Sequence, residues 1–359
     1  MCSRDQVLDM FNDNRYRPAI PNSGPLYSNI AYNLLGMALE NVHSKKYEQV
    51  IHDLIFDPIR MQNSSFETPT QSQDAILPRP GDSRQSAPFG NFNPSGGIWS
   101  TPNDMILFLE AIRTHKLMSP ARSRKWFQPS SLLPSLHQLV GAPWEIFRPD
   151  HISVAVPRPI DLYTKAGGVA GYASHAVLIP EYGIVLTIHA AGNDATAAVQ
   201  SMLPLIVEPL IIYADELARE RAATTYAGTY RSDEEDCVVI LELDDGPGLR
   251  ISSAIMNGVN IVPVLAAVQG WNPQEASARL YPTTPDSTGK NIWKMLISSD
   301  RAGAEKGFAG QHGSSWNWGD RTRYTGQPLE KIEFCMSEGT VTGMDLVGWR
   351  RILTKTIDE

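Results

Sequence analysis

Residues 27–39 read Tyr-Ser-Asn-Ile-Ala-Tyr-Asn-Leu-Leu-Gly-Met-Ala-Leu. Ile30, Leu34, Leu35, Ala38 and Leu39 recur at the three- and four-residue spacing of an amphipathic helix. Tyr27-Ser28-Asn29 stands at the entrance of that helix, a place from which a phenol and a carboxamide can be aimed into a cleft. Reading outward, Tyr47, Val50, Ile51, Leu54 and Ile55 predict a second amphipathic helix, ended by Asp57-Pro58. Residues 62–97 are rich in Gln, Ser, Pro, Gly and Asn with little periodicity, the composition of a functional rim or a long loop.

Gly96-Gly97 then leads into Trp99-Ser100-Thr101-Pro102-Asn103-Asp104. Thr101 reads as an N-cap, Pro102 as the first helical residue and Asp104 as the reciprocal capping carboxylate. Met105, Phe108, Leu109 and Ile112 supply the buried face of that helix. Three antiparallel strands follow at 162–168, 172–179 and 183–189, with Pro180-Glu181-Tyr182-Gly183 as a turn. Residues 195–217 read as a long helix that should kink or break at Pro204 and Pro209.

From residue 226 onward the pattern changes to short alternating runs. Strands are predicted at 238–243, 249–255, 260–265, 278–281, 291–297, 331–336 and 343–353, with turn signals at 244–248 and Asn257-Gly258. The chain therefore divides into a mixed α/β (α+β) part, residues 1–220, and an all-β barrel or sandwich, residues 226–359, joined by a polar stretch rich in Ala and Arg.

Apolar residues make up 42% of the 359 and charged residues 19%, enough for packed cores. The net charge of −8 and the lack of a basic stripe exclude a nucleic-acid partner from the expectations. No apolar run reaches the roughly 18 residues of a membrane span, so none is expected. Met1-Cys2-Ser3-Arg4-Asp5 carries no signal-peptide pattern, which leaves the cytoplasm as the default compartment. Of Cys2, Cys237 and Cys335, the last two sit in strand-like runs and pair only if those strands are neighbours; free thiols are the plainer expectation. No metal motif or cofactor motif stands out, and none is expected. Asn63-Ser64-Ser65 is a single glycosylation sequon.

The order of the motifs resembles the serine β-lactamase-like superfamily, which includes class C β-lactamases, DD-peptidases, related esterases and fungal transesterases of polyketide pathways. The residues that carry the resemblance are Tyr27-Ser28-Asn29, Gly36 inside its helix, Asp57 to Met61, Gly96 to Asp104, Lys165-Ala166-Gly167-Gly168, Gly171-Tyr172 and Pro180 to Val185. The tail resembles the C-terminal domain of some fungal members. The resemblance implies a β-lactamase/transpeptidase-like domain of helices around an antiparallel sheet. It also implies a serine nucleophile whose lysine stands three residues later, a tyrosine that shuttles the proton, and a strand that supplies a cation and a backbone donor. Carried over, Tyr27 is the base, Asn29 orients the ligand, Lys165 is the strand cation, and Ala166, Gly167 and Gly168 form the binding edge.

Two departures shape the functional expectation. Ala166 stands where β-lactamases commonly keep Thr, which disfavours penicillin-type substrates and leaves esters or lactones. The family's Ser-x-x-Lys would fall before Met1, together with the first helix and two sheet strands that flank the other three. Within the chain, Ser287-Thr288-Gly289-Lys290 matches the spacing but lies in a turn-like tail. The expectation is a member of this hydrolase or acyltransferase lineage that forms no acyl-enzyme as it stands. Alternatives are a cleft that binds a small apolar or ester-like molecule without acyl chemistry, and an interaction protein. An exposed sheet edge predicts homo-oligomers or another element in place of the flanking strands. His175 and His189 read as core or surface histidines, and His312, Trp316, Trp318 and Asp320 as a plug at the barrel rim.

Overall fold

The computed structural model describes residues 3–12, 19–20, 23–68, 75–76, 78, 88–152, 154–232, 236–283, 291–299 and 322–356. Its contacts divide into one unit of Met1–Ile152 with Pro157–Ile212 and a second of Ser153–Val156 with Tyr213–Glu359.

In the first unit, α1 (Arg4–Asn12) is tied to α2 (Asn29–His43) by Arg4, which donates to Asn41 Oδ1 at 3.0 Å and pairs with Glu40 at 3.5 Å. Ser28 caps α2: its Oγ accepts the Ala31 N–H at 3.2 Å, filling one of the four orphan donors of a helix start. Gly36 lies inside α2 because a neighbour needs the space. A Cβ there would stand 2.2 Å from Pro94 Cγ on α5 (Asn93–Gly96).

The second helix does not stop at Asp57-Pro58. α3 (Tyr47–Ile51) passes through a π turn at His52–Phe56 into α4 (Asp57–Ile59), where Pro58 occupies a first-turn position that needs no N–H donor. Arg60, at φ 62°, ends the run instead. Ile51, Phe56, Ile59 and Met61 pack with Ala111 of α6 (Pro102–Arg113).

Thr101 caps α6, its Oγ1 accepting the Asp104 N–H at 3.2 Å. Asp104 has a different task from the reciprocal cap: buried to 2% exposure, its Oδ2 accepts the Asn63 N–H at 2.8 Å and the Ser64 hydroxyl at 2.7 Å. This anchors the strand-like bridge between Ser65 and Trp99 and places the Asn63-Ser64-Ser65 sequon in folded structure. α7 (Pro120–Trp126) follows.

Among the described residues the sheet of this unit has six strands in sequence order, not three: β1 (Ser131–Leu132), β2 (Gln138–Val140), β3 (Glu145–Phe147), β4 (Leu162–Val169), β5 (Tyr172–Ile179) and β6 (Ile184–Ala191), all antiparallel. The first three are two or three residues long and lie among prolines, so they show no alternation to read. One face of the sheet packs Trp144, Ile146, Leu178, Tyr163 and Val185 against Ile112 and Phe108 of α6. The other packs Ala173 and Ile188 against Ala195 and Val199 of α8 (Ala195–Tyr226). Among the described residues, no strand pairs with the outer edge of β6.

α8 keeps both Pro204 and Pro209 inside one helix and does not break. Each proline removes a single backbone bond, while the buried series Ala195, Val199, Val207 and Ile211 repeats at helical spacing and holds the element in place. By length and composition alone α8 is long and apolar enough to cross a membrane, where the sequence reading expected no apolar run of that length; 22% of its apolar window is buried.

The second unit is a barrel. Among the described residues its sheet has nine strands in the order β10 (Val259–Asn260), β9 (Leu249–Met256), β11 (Ala276–Pro282), β12 (Ile292–Ser299), β15 (Lys331–Ser337), β16 (Thr340–Leu346), β17 (Arg351–Lys355), β7 (Gly228–Ser232) and β8 (Cys237–Glu242), and β8 pairs with β9 to close the ring. A small hairpin, β13 (Arg323–Tyr324) with β14 (Gln327–Pro328), lies apart. Residues 260–265, expected as a strand, form α9 (Ile261–Val268). Asn260 Oδ1 accepts the Val262 N–H at 3.2 Å, and Pro263 fits a first helical turn but not a sheet ladder. Ile261, Val262, Leu265 and Ala266 join the barrel core with Leu249, Leu280, Met295 and Phe334. The run 343–353 is split into β16 and β17 by a turn through Gly348, where a Cβ would stand 2.3 Å from Pro328 O. Cys237 on β8 and Cys335 on β15 are thiols on strands that are not neighbours, so no disulfide joins them.

Candidate functional site

Tyr27 sits immediately before α2, 61% exposed, with its hydroxyl donating to Asn29 Oδ1 at 2.9 Å. Its ring lies 6.0 Å from that of Tyr32, one turn into the helix. Burial raises the Tyr32 phenol pKa, with the Lys165 ammonium opposing that shift.

Lys165 comes from β4, and its Nζ stands 5.2 Å from the centre of the Tyr27 ring. The sequence stretch at the front of the chain and the mid-chain strand therefore meet in one place. The Lys165 ammonium donates to Glu145 Oε1 at 2.5 Å and to Ala166 O at 2.9 Å. The second oxygen of Glu145 accepts the Ala166 N–H at 3.0 Å. Glu145 is the first residue of β3, opposite Thr164 in register, and the buried Thr164 hydroxyl bonds the Glu145 carbonyl at 2.7 Å. Past the point where β3 ends, the carboxylate continues the ladder that its backbone no longer provides.

Ala166, Gly167 and Gly168 form an exposed end of β4, in register with His175, Ser174 and Ala173 of β5. Gly167 makes room for a neighbour, since a Cβ there would lie 2.6 Å from Ser174 Oγ. Ser174 in turn faces His189 on β6, whose Nε2 is 2.7 Å from Thr187 Oγ1. The Gly96–Asp104 motif closes on the same strands: the Trp99 ring meets the Tyr172 ring edge-on at 5.3 Å.

His175 is not the satisfied core histidine expected. It is 7% exposed, and its Nε2 has no hydrogen-bond partner among the described residues. Burial is the main cause that lowers its pKa; Glu145 pulls the other way and Lys165 reinforces the lowering.

Tyr27, Asn29, Lys165 and the Ala166–Gly168 edge are thus brought together. Glu145, Tyr32 and Ser174 are additions that the sequence reading missed. Glu145 carried one usable signal, a charge in phase opposition to buried Trp144 and Ile146, but its pairing with β4 is a matter of register between distant segments. Ser287–Lys290 and the group His312, Trp316, Trp318 and Asp320 lie outside the described residues. Among the described residues, no group of His, Cys, Asp or Glu is placed to hold a metal ion.

Comparison with known proteins matches residues 3–210 to the family described as "Beta-lactamase" and residues 218–357 to "Beta-lactamase-like-like, C-terminal domain". The chain is 31% identical over 356 residues to "Probable hydrolase clz13" of Cochliobolus lunatus, with 92% of this chain and 55% of that protein covered. It is 28% identical over 377 residues to "Probable hydrolase M10" of a Phoma species, with 100% of this chain and 61% of that protein covered. The chain therefore spans well under two thirds of the length of both. A solved octameric penicillin-binding-protein homologue from Pyrococcus abyssi aligns with a TM-score of 0.46 and 18% identity, covering 98% of this chain and 70% of that one.

Proposed function

We propose, on the premise that this chain belongs to the beta-lactamase family of serine hydrolases, that the cleft between Tyr27 and β4 takes an ester- or lactone-type carbonyl compound. The observation that carries this reading is the 5.2 Å approach of the Lys165 ammonium to the Tyr27 ring, which brings a phenol and a strand cation to one cleft. Two fungal relatives described as probable hydrolases support the lineage.

In this reading Asn29 accepts the Tyr27 hydroxyl through Oδ1, which leaves its amide NH₂ to orient a ligand carbonyl and leaves the phenol oxygen's lone pairs to accept a hydrogen bond from the ligand. The exposed Gly167–Gly168 edge offers backbone donors to a developing oxyanion. Ala166 supplies no hydroxyl, in keeping with a ligand other than a penicillin. The only Ser-x-x-Lys in the 359 residues is Ser287–Lys290, in the barrel half of the sequence. We therefore expect this polypeptide to form no acyl-enzyme.

A fluorophosphonate probe tests that expectation, because an activated serine would be labelled stoichiometrically. The expected outcome is no label, and a labelled serine overturns it. Thermal shift with short-chain aryl esters and lactones tests the cleft. Stabilisation is expected in the wild type and should be lost in Tyr27→Phe and Lys165→Met. Equal stabilisation of all three proteins would move the ligand elsewhere.

A second reading, a non-hydrolytic protein of a secondary-metabolite pathway that holds a reactive intermediate in one conformation, draws on the ion pair at Lys165. A lysine already neutralised by Glu145 suits positioning, which alone lowers barriers by several kcal/mol.

A further inference from the structure

We infer that Glu145 determines the charge preference of this cleft: by holding both the Lys165 ammonium and the Ala166 N–H, it makes the cleft take neutral carbonyl compounds and turn away carboxylates. The inference rests on the cleft reading above and narrows its ligand class.

An ammonium has three donors and no acceptor. At Lys165 one goes to Glu145 Oε1 at 2.5 Å and another to Ala166 O at 2.9 Å, while the face of the Tyr27 ring lies to one side at 5.2 Å. A ligand carboxylate approaching this lysine meets the negative charge of Glu145 and must displace it. The backbone N–H next to this lysine gives no substitute, because the Ala166 N–H is held by Glu145 Oε2 at 3.0 Å. The side chain of residue 166 gives none either, since alanine has no hydroxyl. Of the three groups that positions 165 and 166 could turn toward a carboxylate, the ammonium and the N–H are engaged by the protein's own carboxylate and the hydroxyl is missing.

The position of Glu145 is fixed independently of any ligand. Its backbone is held by the buried Thr164 hydroxyl, and its side chain lies along β4 because β3 begins there. The ion pair itself is partly exposed, 29% at Lys165 and 38% at Glu145, so it contributes little to folding stability. Its removal should therefore change ligand choice more than fold. A neutral ester or lactone presents only a carbonyl acceptor and is not repelled.

Isothermal titration of the 359-residue protein with 4-phenylbutyrate and with its methyl ester tests the inference, with circular dichroism to verify folding of each variant. The wild type is expected to bind the ester at least tenfold more tightly than the acid. Glu145→Gln keeps an acceptor for the Ala166 N–H but removes the charge; it should tighten the acid at least tenfold and leave the ester within twofold. Glu145→Ala should move in the same direction, and the double variant Glu145→Gln with Lys165→Met should lose the gain. Ester binding with the same ester-to-acid ratio in wild type and Glu145→Gln refutes the role of Glu145 and leaves the cleft reading standing. Binding of neither compound to either protein refutes both.

Discussion

Buried in the sheet beside Ala166, His175 favours its neutral form, because charging an imidazole that has lost its water costs free energy. Its folded pKa lies below the unfolded value of about 6.5. In that window the unfolded chain binds more protons than the folded one, so stability is complete above the unfolded value and falls as the pH drops through the folded one. His189, also lowered by burial, adds to the same acid loss. His175→Gln should flatten the decline in melting temperature between pH 7.5 and pH 5, and an equal decline in both proteins would contradict the assignment. Asp104 makes a second prediction at this scale. Asp104→Ala leaves the Asn63 N–H and the Ser64 hydroxyl without their shared acceptor, at a cost of about 3 kcal/mol by urea unfolding, and Asp104→Asn about half of that. Losses below about 0.5 kcal/mol would mean that water replaces the carboxylate. Residue by residue, the resemblance named Tyr27, Asn29 and Lys165, and the structure sets the Lys165 ammonium over the Tyr27 ring and the Tyr27 hydroxyl on Asn29. Glu145 was not legible, because its partner is 20 residues away and meets it only through strand register.

Elements were legible in proportion to their periodicity. α2, α6, β5 and β6 are long enough to display a stripe or an alternation, and the structure keeps them close to their expected bounds. β1, β2 and β3 are too short to alternate, and α9 is built of Ile, Val and Leu, whose branched side chains mimic a strand until Asn260 and Pro263 are weighed. The turn between β8 and β9 shows how local chemistry fixes an element boundary. Arg279 of β11 donates to both oxygens of Asp244, at 2.8 and 2.7 Å, and holds that carboxyl below the usual carboxylate range. Asp244 Oδ1 also accepts the Gly246 N–H at 2.9 Å. A Cβ at Gly246 would lie 2.1 Å from the guanidinium, so a larger residue there must push Arg279 off Asp244. Gly246→Val should displace Arg279 and lower the barrel's denaturant midpoint, measurable by urea unfolding; a midpoint unchanged from wild type would show the loop shifting without cost.

At the scale of the whole molecule, each unit carries its own core. The barrel core draws on residues between Ala222 and Leu353. Residues 213–359 expressed alone should fold and unfold cooperatively, and a broad, non-cooperative melt would refute that. Among the described residues the sheet of the first unit ends at β6, whose run Ile184-Val185-Leu186-Thr187-Ile188-His189-Ala190-Ala191 contains no Lys, Glu or Pro of the kind that blunts an edge. We expect concentration-dependent association through this strand at micromolar protein, reduced in Thr187→Lys; a monodisperse wild-type monomer by light scattering would contradict it. In the barrel, β17 lies between β16 and β7, with Thr356 N–H bonding Thr229 O at 2.8 Å and the Lys355 ammonium bonding Thr225 O at 2.8 Å. The earliest strand of the ring thus waits for the latest. On a ribosome, the nascent β7 emerges with one flank open and keeps it open until β17 has cleared the exit tunnel, so the ring cannot be sealed before that strand is free.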